Sequence, residues 1–179
     1  MGRNPRSQAA GAIHHVYSRG NRRDLIFRVD YDFHRFLLYL GDEIVAREWR
    51  CLAYALIPNH YHLVIETSAE NLSAGMHRLN LRWAKAFNRE YGLCGHVFQS
   101  RFGSRVVTDE LDLNNLLRYV LRNPVNAGLC RQAHDWPWSF CGEIAGAAEP
   151  RWIVDLERLG ELLRCSIAEI QARLASLLA

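Results

Sequence analysis

Lysine is almost missing from this chain: of its 22 basic residues only Lys85 is lysine and the other 21 are arginine. The planar arginine fork suits phosphate better than an ammonium does, although arginine-rich coding accounts for the total about as well. Cysteine is sparse and unpatterned. Cys51, Cys94, Cys130, Cys141 and Cys165 make an odd number with no C-x-x-C pair, which argues against a disulfide framework and a structural zinc site and predicts reduced, mostly buried thiols. No apolar run approaches the ~20 residues of a bilayer span. Met1 to Arg6 leads into no apolar signal-type segment, so a cytoplasmic protein without membrane contact is expected. A glycine-rich nucleotide-binding loop is also missing, and with it any sign of chemistry driven by nucleotide hydrolysis.

What is present is a 179-residue chain of 20.6 kDa with 49% apolar and 23% charged residues. That is enough for one well-packed core and excludes general disorder. The net charge of +3 conceals an uneven distribution. Residues 1–28 carry six arginines against one aspartate, and residues 78–105 carry five arginines and one lysine against one glutamate. Residues 143–179 reverse the sign, with six acids against four arginines. This clustering points to a polyanionic partner.

Periodicity organises residues 1–141 as a main domain and 142–179 as a short helical tail, with the Gly/Ala/Pro stretch Gly142 to Pro150 as the boundary. Ala12 to Ser18 has strand composition and is closed by the turn signal Arg19-Gly20-Asn21. Asp30 to Glu48 has helical spacing, and Trp49 to Ile57 with His60 to Thr67 reads as a hairpin turned at Pro58-Asn59. Asn71 to Tyr91 predicts a second helix, Gly103 to Val107 a strand, and Asp109 to Arg122 a third helix ended by Asn123-Pro124. The order predicts a ferredoxin-like (RRM-like) α+β fold: an antiparallel sheet with helices on one face and an extra helix appended. In the tail two short helices are expected, the second opened by the capping-box pattern Ser166 to Glu169. Its negative charge speaks for packing or self-association rather than groove entry.

In His60-Tyr61-His62, strand alternation places both imidazoles on one face, where they can ligate one divalent ion. Tyr119 and Asn123 share a helical face, flanked by Arg118 and Arg122. The amide of Asn123 is an oxygen donor of the kind Mg²⁺ or Mn²⁺ accepts, and cationic neighbours with a polarised phosphate would make the Tyr119 phenol a competent nucleophile. On spacing alone the bland alternative stands beside this one: a helix packed by Leu116, Leu117, Val120 and Leu121, with Asn123 as a pre-proline cap. His14 and His15 fall on opposite strand faces, so at most one can join a site, and both read as packing or DNA-contact residues. His34, His77 and His134 lack partners in sequence. His96 sits in the basic and aromatic stretch Gly95 to Phe102, suited to stacking and phosphate contact or to a partly exposed loop.

The segment Ala53 to Glu66, containing Pro58-Asn59-His60-Tyr61-His62-Leu63, resembles the HUH segment of REP-associated tyrosine transposases, relatives of the single-tyrosine insertion-sequence transposases. The resemblance continues in order through Arg19 to Arg23, Asn71 to Met76, Phe98 to Phe102, Arg118 to Val125 and Asp135 to Ser139, covering residues 11–140. It implies that His60, His62 and Asn123 hold Mg²⁺ or Mn²⁺ and that Tyr119 is the nucleophile. The implied substrate is single-stranded DNA with hairpin-forming palindromic repeats, cleaved and rejoined through a 5′-phosphotyrosine with a free 3′-OH. Arg19, Arg22, Arg23, Arg101 and Arg105 are the expected DNA contacts. Relatives exchange the tyrosine helix between subunits, so a homodimer and a tyrosine acting in cis or in trans are both open. Two rivals remain at this stage: a non-catalytic RRM-like module binding single-stranded DNA or RNA, and a metal-dependent hydrolytic nuclease using water.

Overall fold

The computed structural model describes residues 10–144, 151–170 and 172. Arg3 and Arg6 of the N-terminal basic cluster, most of the Gly142 to Pro150 boundary and the end of the second tail helix lie outside the described residues. Four strands, β1 (Ile13–Arg19), β2 (Arg50–Ile57), β3 (His60–Glu66) and β4 (Gly103–Val106), form one sheet in the order β2-β3-β1-β4. Every pairing is antiparallel. The helices are α1 (Asp30–Arg47), α2 (Leu72–Tyr91), α3 (Glu110–Asn126), α4 (Phe140–Ile144) and α5 (Leu156–Leu163). This is the ferredoxin-like order expected from the pattern, with α3 appended.

The two sheet faces are used differently. On one, Phe36 of α1 meets Tyr61 of β3 and the Tyr61 hydroxyl donates to Asn80 of α2 at 2.7 Å. Phe27, Phe33, Phe36 and Trp83 continue this core. On the other, α3 crosses β2 and β3, burying Leu113, Leu116, Leu117, Val120 and Leu121. Those leucines sit where the packed-helix reading puts them, but Tyr119 faces an open groove at the end of the sheet rather than bare solvent.

Pro124 does not end the third helix. The backbone stays helical through Asn126, and the Ala127 amide donates to the Asn123 carbonyl at 2.9 Å. Proline costs the bond its own nitrogen would have made, but its ring is buried within the helix's last turn, and that burial offsets the loss. Asn123 therefore remains one full turn from Tyr119. Smaller corrections follow from pairing: β1 begins at Ile13 and includes Arg19, Trp49 precedes β2, and Glu48 caps α1 in the left-handed region (φ 53). All five cysteines are free, but only Cys51 and Cys141 are buried and Cys94 is exposed.

Sheet edges are prone to unwanted pairing. The free edge of β2 is covered by later chain: Leu56 donates to the Trp138 carbonyl at 2.9 Å, the Trp136 indole donates to the Leu56 carbonyl at 2.8 Å, and Asp155 donates to the Cys51 carbonyl at 2.8 Å. Beyond it, Arg158 of α5 forks onto both carboxylate oxygens of Glu66 at 2.9 and 2.7 Å. Leu159, Leu163 and Ile170 join the same core, and Ser166 and Glu169 exchange the reciprocal bonds of a capping box. The Asp155 and Arg158 contacts close the end of the α3 face remote from His60, and a groove stays open at the His60 end.

Candidate functional site

The register explains which residues converge. Tyr17 faces His62 and Arg19 faces His60 across the β1–β3 ladder, so alternation brings His15, Tyr17, Arg19, His60 and His62 onto one face. His60 stands immediately after the Pro58-Asn59 turn. Backbone bonds hold that turn: Gly20 donates to the Asn59 carbonyl, and Ile26 and Phe27 both donate to the Pro58 carbonyl. Helix α3 then lays Tyr119 and Asn123 over the same end of β3. The result is an open groove of about 800 Å³ whose walls include Tyr17, Arg19, His60, His62, Tyr119 and Asn123.

Within it, His60 Nε2 lies 2.9 Å from Asn123 Oδ1, and His60 Nδ1 lies 2.6 Å from Asn59 Oδ1. Burial pushes the His60 pKa down, with the nearby Arg19 charge acting the same way. A neutral imidazole has a single N–H. If Nδ1 donates to Asn59, the Nε2 lone pair faces the Asn123 oxygen lone pair. A cation held by both atoms would remove that opposition.

His62 is nearly enclosed. Its Nδ1 lies 2.9 Å from His15 Nε2, and the two rings stack with centroids 5.1 Å apart at 25°. Burial, then the neighbouring His15, His60 and Arg19, lowers the His62 pKa to about 3; burial, then Arg105, lowers that of His15 to about 4. Both rings are neutral at physiological pH, the form in which imidazole ligates metals. With Nδ1 engaged by His15, Nε2 is the nitrogen of His62 left for a ligand. Among the described residues no group of three or more His, Cys, Asp or Glu is arranged to hold a metal ion, so a cation here would have only two imidazoles and one amide oxygen as protein ligands.

Tyr119 is 48% exposed and sets its ring edge-on to His62, with centroids 5.3 Å apart at 82°. It stands beside the histidine pair of its own chain. Of the expected DNA contacts, Arg19 and Arg23 line the groove. Arg22 and Arg23 project from a tight turn with positive φ, 53° and 66°. Arg101 lines a second depression of about 1010 Å³ between α2 and residues 95–102, which also takes in His77, Lys85 and His96 and shares Gln99 with the groove. Arg105 is held by Asp112 through two bonds of 2.7 and 2.8 Å. His14, by contrast, is buried with both ring nitrogens unpaired.

Comparison with known proteins adds the lineage. The profile of the family described as "Transposase IS200 like" matches residues 8–123. The chain belongs to that family. A REP-associated tyrosine transposase of Escherichia coli (strain K12) is 25% identical over 133 residues, covering 73% of this chain and 76% of the relative. A Haemophilus influenzae relative is 26% identical over 99 residues, covering 49% and 56% respectively. A solved REP-associated tyrosine transposase bound to a REP hairpin superposes with a TM-score of 0.67 at 23% identity, covering 87% of this chain and 93% of the other, and so has the same fold. As a member, this transposase is a DNA strand transferase and endonuclease, and a passive RRM-like binder is set aside.

Sequence reasoning missed His15 as a partner of the histidine pair, and it missed Tyr17, Asn59 and Gln99 as groove residues. The β1 residues become visible only once β1 is known to pair with β3 in the Tyr17–His62 register.

Proposed function

We propose that the groove cleaves and rejoins single-stranded DNA beside hairpin-forming repeats, with Tyr119 as the nucleophile. The observation that carries this reading is the meeting, within one chain, of a half-exposed phenol with the buried His62 imidazole, the half-buried His60 imidazole and an amide oxygen in an open groove. The REP hairpin in the solved relative supports the choice of substrate.

In the reaction the Tyr119 oxygen attacks phosphorus and the bond from phosphorus to the 3′ oxygen breaks. The DNA 5′ end is left as a tyrosine ester, and the phenol proton ends on the departing 3′-OH through solvent. Because the ester conserves the phosphodiester, attack by a 3′-OH reverses the step without an external energy source. Mg²⁺ or Mn²⁺ held by His60 Nε2, His62 Nε2 and Asn123 Oδ1 would supply charge stabilisation at the scissile phosphate. His15 fixes the ring of His62, Asn59 fixes that of His60, and Arg19 with Arg23 draws the strand into the groove. Arg22, Arg101 and Arg105 extend the basic surface along which the strand runs.

The test is a labelled hairpin oligonucleotide incubated with Mn²⁺ and resolved on denaturing gels. Wild-type protein is expected to yield a covalent protein–DNA band that Tyr119→Phe and His62→Ala both lack. Free cleavage that survives Tyr119→Phe would replace this reading with hydrolysis by water.

A further inference from the structure

The groove contains a second phenol that the reaction above does not use. Tyr17 projects from β1 beside His62 and is 44% exposed. Its partner across the β1–β4 ladder is Gly103. A Cβ at Gly103 would collide with the Tyr17 ring carbons and hydroxyl, so the ring lies directly across glycine backbone. On its inner side the His15 ring stands 5.2 Å away at 41° and the His62 ring 6.2 Å away at 39°. Strand pairing, two imidazoles and the glycine seat fix this aromatic ring, while much of its surface remains open in the groove. Such a ring, rigid and half bare, is costly to leave in water and suits a flat apolar partner. Among the described residues the hydroxyl makes no bond that would explain a tyrosine here through hydrogen bonding alone.

On the strand-cleavage reading above, we infer that Tyr17 is the stacking platform for the nucleobase next to the scissile phosphate, with Gly103 keeping that platform flat. Tyr119 and the imidazoles act on the phosphate between them and Tyr17 holds the adjoining base, so the phosphorus is presented at a fixed height above His62. Stacking uses the π-face that every base has, so the platform positions the strand without reading its sequence. It is a binding and positioning residue, and an aromatic ring is the property it needs.

The test uses hairpin oligonucleotides with 2-aminopurine at either base flanking the cleavage position, bound to protein carrying Tyr119→Phe so that the strand stays intact. In that background the fluorescence of one flanking 2-aminopurine is expected to be quenched on binding, and adding Tyr17→Phe or Tyr17→Trp to preserve the quench. Tyr17→Ala should abolish it and weaken binding about tenfold. Gly103→Ala should also reduce it by displacing the ring while keeping the tyrosine itself, with circular dichroism checking the fold; Tyr17→Ala removes an exposed ring and stands as the test alone if Gly103→Ala fails to fold. Equal quench and equal affinity in Tyr17→Ala would overturn the platform. Absence of any binding by the parent protein would instead overturn the strand-cleavage reading.

Discussion

His62 can ligate through only one ring nitrogen at a time, and His15 decides which. With His15 Nε2 at 2.9 Å from its Nδ1, the ring is held in one tautomer and one rotation, and removing that partner frees both. His15→Ala is expected to lower Mn²⁺ affinity by about 10- to 100-fold, measured by titration with paramagnetic resonance, and His15→Gln to restore most of it. The pH dependence has a definite sign. In the folded protein burial depresses both pKa values, to about 4 for His15 and about 3 for His62, whereas unfolded histidine titrates near ~6.5. The unfolded state therefore binds more protons below that pH, and stability present above it is lost as pH falls toward the folded values. Melting temperatures of metal-free protein should drop from pH 6.5 to 4, and the drop should be shallower in the His15→Ala, His62→Ala double variant. The shared face of His60 and His62 was legible from alternation, and their role only from the resemblance. His15 was not, because its role depends on a neighbouring strand 47 residues away.

Helices and strands were legible where hydrophobic period and turn chemistry agreed, as in α2 and the Pro58-Asn59 hairpin. The rule that proline ends a helix misplaced the end of α3, because burial in the last turn outweighed the lost bond. The continuation matters to the site, since it keeps Asn123 within the helix, one turn from Tyr119 on the shared face. Packing is also close at Gly75 of α2, where an added Cβ would strike the Trp49 ring. Trp49 is itself fixed, its indole donating to Asn71 at 2.6 Å, so it has little room to yield. Gly75→Ala is expected to destabilise the protein by about 1–3 kcal/mol in urea unfolding, despite alanine's better helix propensity.

Across the whole molecule, charge is divided by task. The acidic tail is joined to the sheet by Arg158, whose fork on Glu66 holds α5 at the end of the sheet remote from the groove. Arg158→Ala leaves the largely buried Glu66 carboxylate without that partner, and a loss of about 1–3 kcal/mol is expected, read as a lower melting temperature. The arginines near the groove serve the strand instead. Replacing Arg19 or Arg23 by alanine should weaken binding uniformly across sequences and reduce the salt slope by about 0.7 for each phosphate left unneutralised. Arg105, already spanned by Asp112, should change the slope less. Composition showed that arginine was clustered but not which arginines were committed to carboxylates, since those pairings arise only on folding. The central claim is that the phenol of α3 becomes the covalent link to DNA. Trypsin cuts after Arg118 and Arg122, so Tyr119 to Arg122 forms a peptide with one hydroxyl. Mass spectrometry of the digested, Mn²⁺-treated protein–DNA complex should find the nucleotide phosphate on that peptide. A phosphate found on the Tyr17 peptide, or cleaved DNA with no modified peptide at all, would contradict the account.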